Sequence, residues 1–168
     1  MKLVKSEALK LKYQALFYLR IKQRCCFIAT EVGNNSADVL GISEKKMIEI
    51  EVKTNMPDFK NDFKKPKHGN YDREKEGAYI GSWQKQWVPN QFYFAVPTSM
   101  VEEVKKYLED KGYTQYGVLA LAEPDTDGEF RVVKQAKKLH DRAPSSHAKY
   151  VVALRMGSEL LRFHQAWL

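Results

Sequence analysis

Residues 47–55, MIEIEVKTN, constrain the fold more than any other stretch, because apolar and charged side chains alternate there at a spacing of two. That is the period of a strand with one face toward a core. Ile48, Ile50 and Val52 are expected on the apolar face, with Glu49, Glu51 and Lys53 on the other. A half-buried row of two carboxylates and an ammonium is costly unless its charges are paired or used. The rest of the chain has to compensate them.

With 168 residues and 43% apolar content, the chain suits a single α/β domain, 1–168, that buries roughly two-thirds of its unfolded surface. Its net charge of +7 favours polyanionic partners such as nucleic acid, although a plainly basic surface has the same signature. Cys25 and Cys26 are adjacent in sequence and poorly suited to an ordinary disulfide, which predicts a reducing, cytoplasmic setting. Lysines interrupt the apolar residues of the first 24 positions. That leaves neither a signal-peptide core nor an 18-residue span, so no membrane association is expected.

Ser6 is placed to cap a helix running to about Lys22, with Leu9, Tyr13, Leu16, Phe17 and Leu19 as its apolar face and Glu7 in its first turn. Residues 25–32 read as a strand, 33–36 (GNNS) as a turn, and 37–42 as a second strand leading through a tight polar turn into the third. Short connections make these an antiparallel meander. Asp38, near the start of the middle strand, should therefore meet Glu51 and Lys53 at the end of its partner.

Asp58, Phe59, Asp62 and Phe63 suggest a short helix limited by Pro66. Residues 68–89 show no sustained periodicity and read as a long loop or insertion. It carries Tyr71, Tyr79, Trp83 and Trp87 among Arg73, Lys75 and Lys85, just after Lys64, Lys65 and Lys67, a mix suited to stacking and phosphate contacts. Packing aromatics would look the same. A strand at 91–96 and a helix capped by Ser99 and Glu102 follow, with Val101, Val104, Lys105 and Leu108 as its stripe and Gly112 as its stop. A strand at 116–122, a turn at 124–128 and a strand at 130–135 come next. This β-α-β passage implies a parallel pair. From Ser145 a helix runs toward Leu168 with Tyr150, Leu154, Gly157, Leu161, His164 and Leu168 on one stripe, expected to pack on the sheet or on a partner.

Asp38, Glu51 and Lys53 together suit metal-assisted phosphodiester hydrolysis. Asp38, Glu51 and the backbone carbonyl of Val52 offer hard oxygen ligands for Mg²⁺ or Mn²⁺ and leave coordination sites open for water and phosphate. Lys53 is positioned to orient the attacking water and offset charge building on the phosphate. Glu49 either assists a second ion or pairs with Lys46 or another lysine.

Here the chain resembles the PD-(D/E)XK nuclease superfamily, with its restriction-endonuclease-like fold. The resemblance rests on Asp38 opening one strand, Glu51-Val52-Lys53 ending the next, a preceding helix with Glu7, and the order αβββ, then α and β. Asp58, Phe59, Asp62 and Lys64 or Lys65, followed by Phe94-Ala95-Val96-Pro97, look more particularly like its MmcB-like, DNA-repair-related group. Ala37 stands where the superfamily has its proline, Pro57-Asp58 lies after the lysine as a decoy, and the 68–89 segment is longer than expected. The resemblance implies a central mixed sheet flanked by helices, to which this chain adds an aromatic, basic insertion and a long C-terminal helix. It implies a metal-dependent deoxyribonuclease of DNA repair, recombination or mobile-element processing. Asp38, Glu51 and Lys53 would be its catalytic residues, and Glu7, Glu49 and Asp62 would support them. Lys60, Lys64, Lys65, Lys67, His68, Arg73 and Lys85 are then the candidate DNA contacts. A catalytically silent DNA-binding or assembly module with the same fold is the alternative, and paired cuts on two strands would call for a homodimer.

Overall fold

Among the described residues six strands lie side by side in chain order, and the alternating stretch becomes the third of them. The computed structural model describes residues 7–33, 37–121 and 130–165, the last three of these by their backbone alone. Strands β1 (Phe27–Val32), β2 (Ala37–Ile42) and β3 (Met47–Val52) form the expected meander, with Thr30 paired to Val39 and Leu40 to Glu49. β3 runs parallel to β4 (Gln91–Val96) and β4 parallel to β5 (Gly117–Leu121), while β6 (Phe130–Lys134) returns antiparallel. The fold is α/β, a six-stranded mixed sheet flanked by helices.

β3 differs from expectation in being buried along its whole length rather than on one face. A strand with a parallel neighbour is normally covered on both sides. Ile48, Ile50 and Val52 pack with Leu11 and Ala15 of α1 (Glu7–Phe17). The charged face is covered by α3 (Pro66–Lys75), which lies in the segment expected to be irregular. Pro66 opens this helix instead of merely limiting α2 (Met56–Asp62), since proline at the first helical position loses no intrahelical bond. The same segment holds the short α4 (Ser82–Lys85).

The first helix also departs from its reading. After Phe17 it widens into a π-turn, Tyr18–Lys22, closed by the Gln23 N–H on the Tyr18 carbonyl at 3.0 Å. Leu11, Ala15, Tyr18 and Leu19 face the core, whereas Leu9, Tyr13 and Phe17, three members of the expected apolar face, are exposed. Helix α5 (Val101–Asp110) begins without a side-chain cap, so the Ser99 capping box is not formed. Its buried stripe of Val101, Val104 and Leu108 is as expected, and Gly112 ends it at φ 74°.

Helix α6 (Ser146–Gln165) starts from Ser145, whose hydroxyl accepts the Ala148 N–H at 3.0 Å. It packs on β1 and β2 through Ala148 and Val152, not through the expected stripe. Tyr150, Leu154 and Leu161 point outward. The polar side of the helix does the anchoring: Glu159 accepts both the N–H and the hydroxyl of Thr30, and Arg155 donates to the Thr30 carbonyl. The Ser6 cap, most of the 33–36 turn, the 124–128 turn and the His164 side chain lie outside the described residues.

Candidate active site

Asp38 and Glu51 come together because β2 and β3 are antiparallel and paired through Val39 and Ile50, which sets Asp38 opposite Glu51 on one face. The Val52 N–H donates to Asp38 Oδ2 at 2.9 Å, fixing the carboxylate against the end of β3. Asp38 Oδ1 meets the ammonium of Lys12, from α1, at 3.1 Å. Lys12 also pairs with Glu31, which lies across β1–β2 from Asp38 and holds a left-handed φ of 51°. A non-glycine residue in that conformation is uncommon and tends to mark constrained sites.

Glu51 is fully buried, and three ammonium groups reach it. Lys53 and Lys65 each approach Oε2 at 3.3 Å, and Lys67 bonds Oε1. Lys67, itself buried, also bonds Glu49 Oε1 at 2.7 Å, while the Tyr71 hydroxyl donates to Glu49 Oε2 at 2.7 Å. Glu49 is thus committed to α3 rather than to Lys46, which binds Gln23 instead. Lys53 and Lys65 also meet Asp62 Oδ1 at 2.7 and 2.6 Å, in ionic contacts off the hydrogen-bonding direction. Asp62 Oδ2 accepts from His68 Nε2 at 2.8 Å. Burial pushes the Tyr116 phenol up, so it keeps its proton, and its hydroxyl lies 2.9 Å from His68 Nδ1.

These contacts set the carboxylates apart. Burial raises Asp38, but the Val52 N–H, Lys12 and Glu51 outweigh it and hold the group below the usual carboxylate range. Burial likewise opposes Asp62, yet His68, Lys53 and Lys65 keep it well below that range. Glu51 moves the other way, up to about 7, because burial and the charges of Glu49, Asp62 and Asp38 outweigh Lys67. A carboxyl crowded by three others attracts positive charge, whether a proton, an ammonium or a metal ion.

A cleft of about 380 Å³ opens at this end of β3, lined in part by Lys12, Asp38, Val52, Lys53, Asp62 and Lys65. Asp38, Lys53 and Asp62 therefore meet at the cleft, and Glu51, which does not line it, is reached from it through Lys53 and Lys65. Glu7 is exposed at the start of α1, one residue before Ala8, which does line the cleft. Asp38 and Glu51 supply hard oxygen donors of the kind Mg²⁺ and Mn²⁺ take. No group of three acidic, cysteine or histidine side chains placed to hold an ion occurs among the described residues. A bound ion would draw on Asp38, Glu51 and backbone or water oxygens.

The candidate DNA contacts separate into two sets. Lys67 and His68 are buried and spend their polar atoms inside the protein, which answers the charge of the β3 row. Lys65 is half-buried at the cleft, and Lys64, Arg73 and Lys85 are exposed. Lys60 pairs with Glu103 at 3.4 Å and lies over the Tyr107 ring. Lys12 is the residue that sequence reading missed. The only trace of it is a lysine one position after buried Leu11, which nothing local separates from its neighbours. No helix among the described residues is long and apolar enough to cross a membrane. The chain matches none of the family models it was scanned against, and no curated protein matches it.

Proposed function

We propose that this protein is a metal-dependent DNA endonuclease of the PD-(D/E)XK kind, with a restriction-endonuclease-like core, acting in DNA repair, recombination or the processing of mobile-element or phage DNA. The observation that carries the reading is that Asp38 and Lys53 line one cleft with Lys12 and Lys65, while Glu51, buried beneath it, stands opposite Asp38 on the neighbouring strand and pairs with Lys53 and Lys65. The order of a helix, a three-stranded meander, further helices and a parallel strand agrees with the αβββαβ order of that superfamily.

Bound Mg²⁺ or Mn²⁺ would supply a Lewis acid and a water of lowered pKa. Asp38, Glu51 and the Val52 carbonyl would hold it. Lys53, held at 2.7 Å by Asp62, orients the attacking water and offsets charge on the phosphate. Lys12 and Lys65 hold non-bridging phosphate oxygens as point charges. One observation favours a second reading, a silent DNA-binding module: Lys67 already bridges Glu49 and Glu51 as an internal cation.

The test is a panel of linear, nicked, single-stranded and branched DNA with Mg²⁺ or Mn²⁺. Cleavage is expected on at least one substrate, and Asp38→Asn or Lys53→Ala should lower its rate by roughly 10²–10³-fold with an unchanged circular dichroism spectrum. No cleavage on any substrate, together with no metal binding at millimolar ion, would leave the silent module.

A further inference from the structure

Beside the cleft, on the same face of the sheet, lies a second cavity of about 350 Å³. Leu40 and Glu49 contribute from β2 and β3, Trp83 and Trp87 from α4 and the turn after it, and His147 and Val151 from α6. The cavity is concave, largely apolar and within the size range of small-ligand sites. Three flat rings stand around it: Trp83 lies 5.4 Å and Trp87 6.3 Å, centroid to centroid, from His147. Trp83 remains 56% exposed, with its ring available to another face.

Among the described residues the one carboxylate in the wall is Glu49, whose side chain is only 4% exposed and is fixed by Lys67 and Tyr71. A carboxylate accepts and never donates, so it selects ligands carrying N–H groups. Glu49 is two residues from Glu51 on one strand, a separation of about 7 Å. Its register partner Leu40 lies two residues from Asp38. The cavity therefore adjoins the Asp38–Glu51 pair along the same two strands.

We infer that this cavity is a nucleobase pocket, stacking one base against Trp83 and accepting hydrogen bonds from its amino-bearing edge at Glu49. Guanine, with adjacent N1–H and N2–H donors, suits a carboxylate best; thymine, with a single ring N–H between two carbonyls, suits it least. Such a pocket takes a base that is unpaired or turned out of the duplex. It rests on the nuclease reading only in taking the base from a DNA strand next to the cleaved phosphate; a free nucleotide would bring the same chemistry.

The experiment measures binding in EDTA, where no metal-dependent cleavage occurs. Fluorescence anisotropy compares a labelled single-stranded oligonucleotide with an abasic strand of equal length, and equilibrium dialysis compares dGMP, dCMP, dAMP and dTMP. The base-bearing strand should bind more tightly, Trp83→Ala should abolish that advantage with a loss of roughly 5- to 150-fold, and Trp83 is exposed enough for the variant to fold. Glu49→Gln should remove the preference for dGMP over dTMP. Equal affinity for base-bearing and abasic strands, unchanged by Trp83→Ala, overturns the pocket and leaves the nuclease reading intact. Binding of dGMP without affinity for either strand keeps the pocket and overturns DNA as its source.

Discussion

Glu51 is the residue where the chemistry of the site becomes measurable. Its pKa moves from the ordinary 4.5 up to about 7, so the folded protein holds a proton there that the unfolded chain releases. The stability this contributes is fully present below pH 4.5 and is lost as pH rises through about 7. At about 1.4 kcal/mol per pH unit the difference amounts to about 3 kcal/mol. Asp38 and Asp62, held low, act in the opposite sense: their contribution is present above the ordinary value of 3.8 and is lost as pH falls. Between 4.5 and 7 the group that opposes Glu51 is His140, held below its ordinary 6.5 by burial, whose contribution is lost as pH falls. Denaturant unfolding at pH 5 and pH 8 should show the Glu51 loss in the wild type and a flatter response in Glu51→Gln. An equal slope in both would mean that another group titrates.

Among the elements, β5 and β6 show how closely the sheet and its flanking segments are fitted. A Cβ at Gly117 would come 2.3 Å from Tyr93 Cδ1 and 2.7 Å from the Ala136 backbone nitrogen. A side chain can turn away, but the backbone cannot, so Gly117→Ala should cost about 1–3 kcal/mol, read as a lowered denaturation midpoint. The strands were legible in the sequence because alternation and short turns leave few other pairings for residues 27–52. Helix α3 was not, because its buried residues are Lys67, His68 and Tyr71, and a helix that buries a lysine and a histidine carries no apolar stripe to count. Helix α6 was read on the wrong face for a related reason. Its outward side holds Tyr150, Leu154 and Leu161, while the contacts that orient it are polar ones from Arg155 and Glu159 to Thr30. The pairing of Asp38 with Glu51 and Lys53 followed from strand order alone. The partners from α1 and α3 depend on helix packing, which local spacing does not encode.

At the scale of the whole molecule, three buried carboxylates, Glu49, Glu51 and Asp62, face three ammonium groups, Lys53, Lys65 and Lys67. Buried charges are tolerated when paired in this way, and removing one partner is far more costly than the pair itself. Because the chain supplies its own counter-charge, chelation should leave the fold intact. Thermal unfolding in EDTA is expected to stay cooperative at the Tm of metal-free protein, and saturating Mn²⁺ should raise that Tm by mass action. Unfolding on chelation alone would show that the ion, not Lys67, balances the β3 row. The bridge from Lys67 to Glu51 spans 16 positions, which bears on the order of events at synthesis. A growing chain exposes its acidic strand for only a short interval before the lysines that quiet it have also been made, and the two halves of the network can find each other while most of the sheet is still to come.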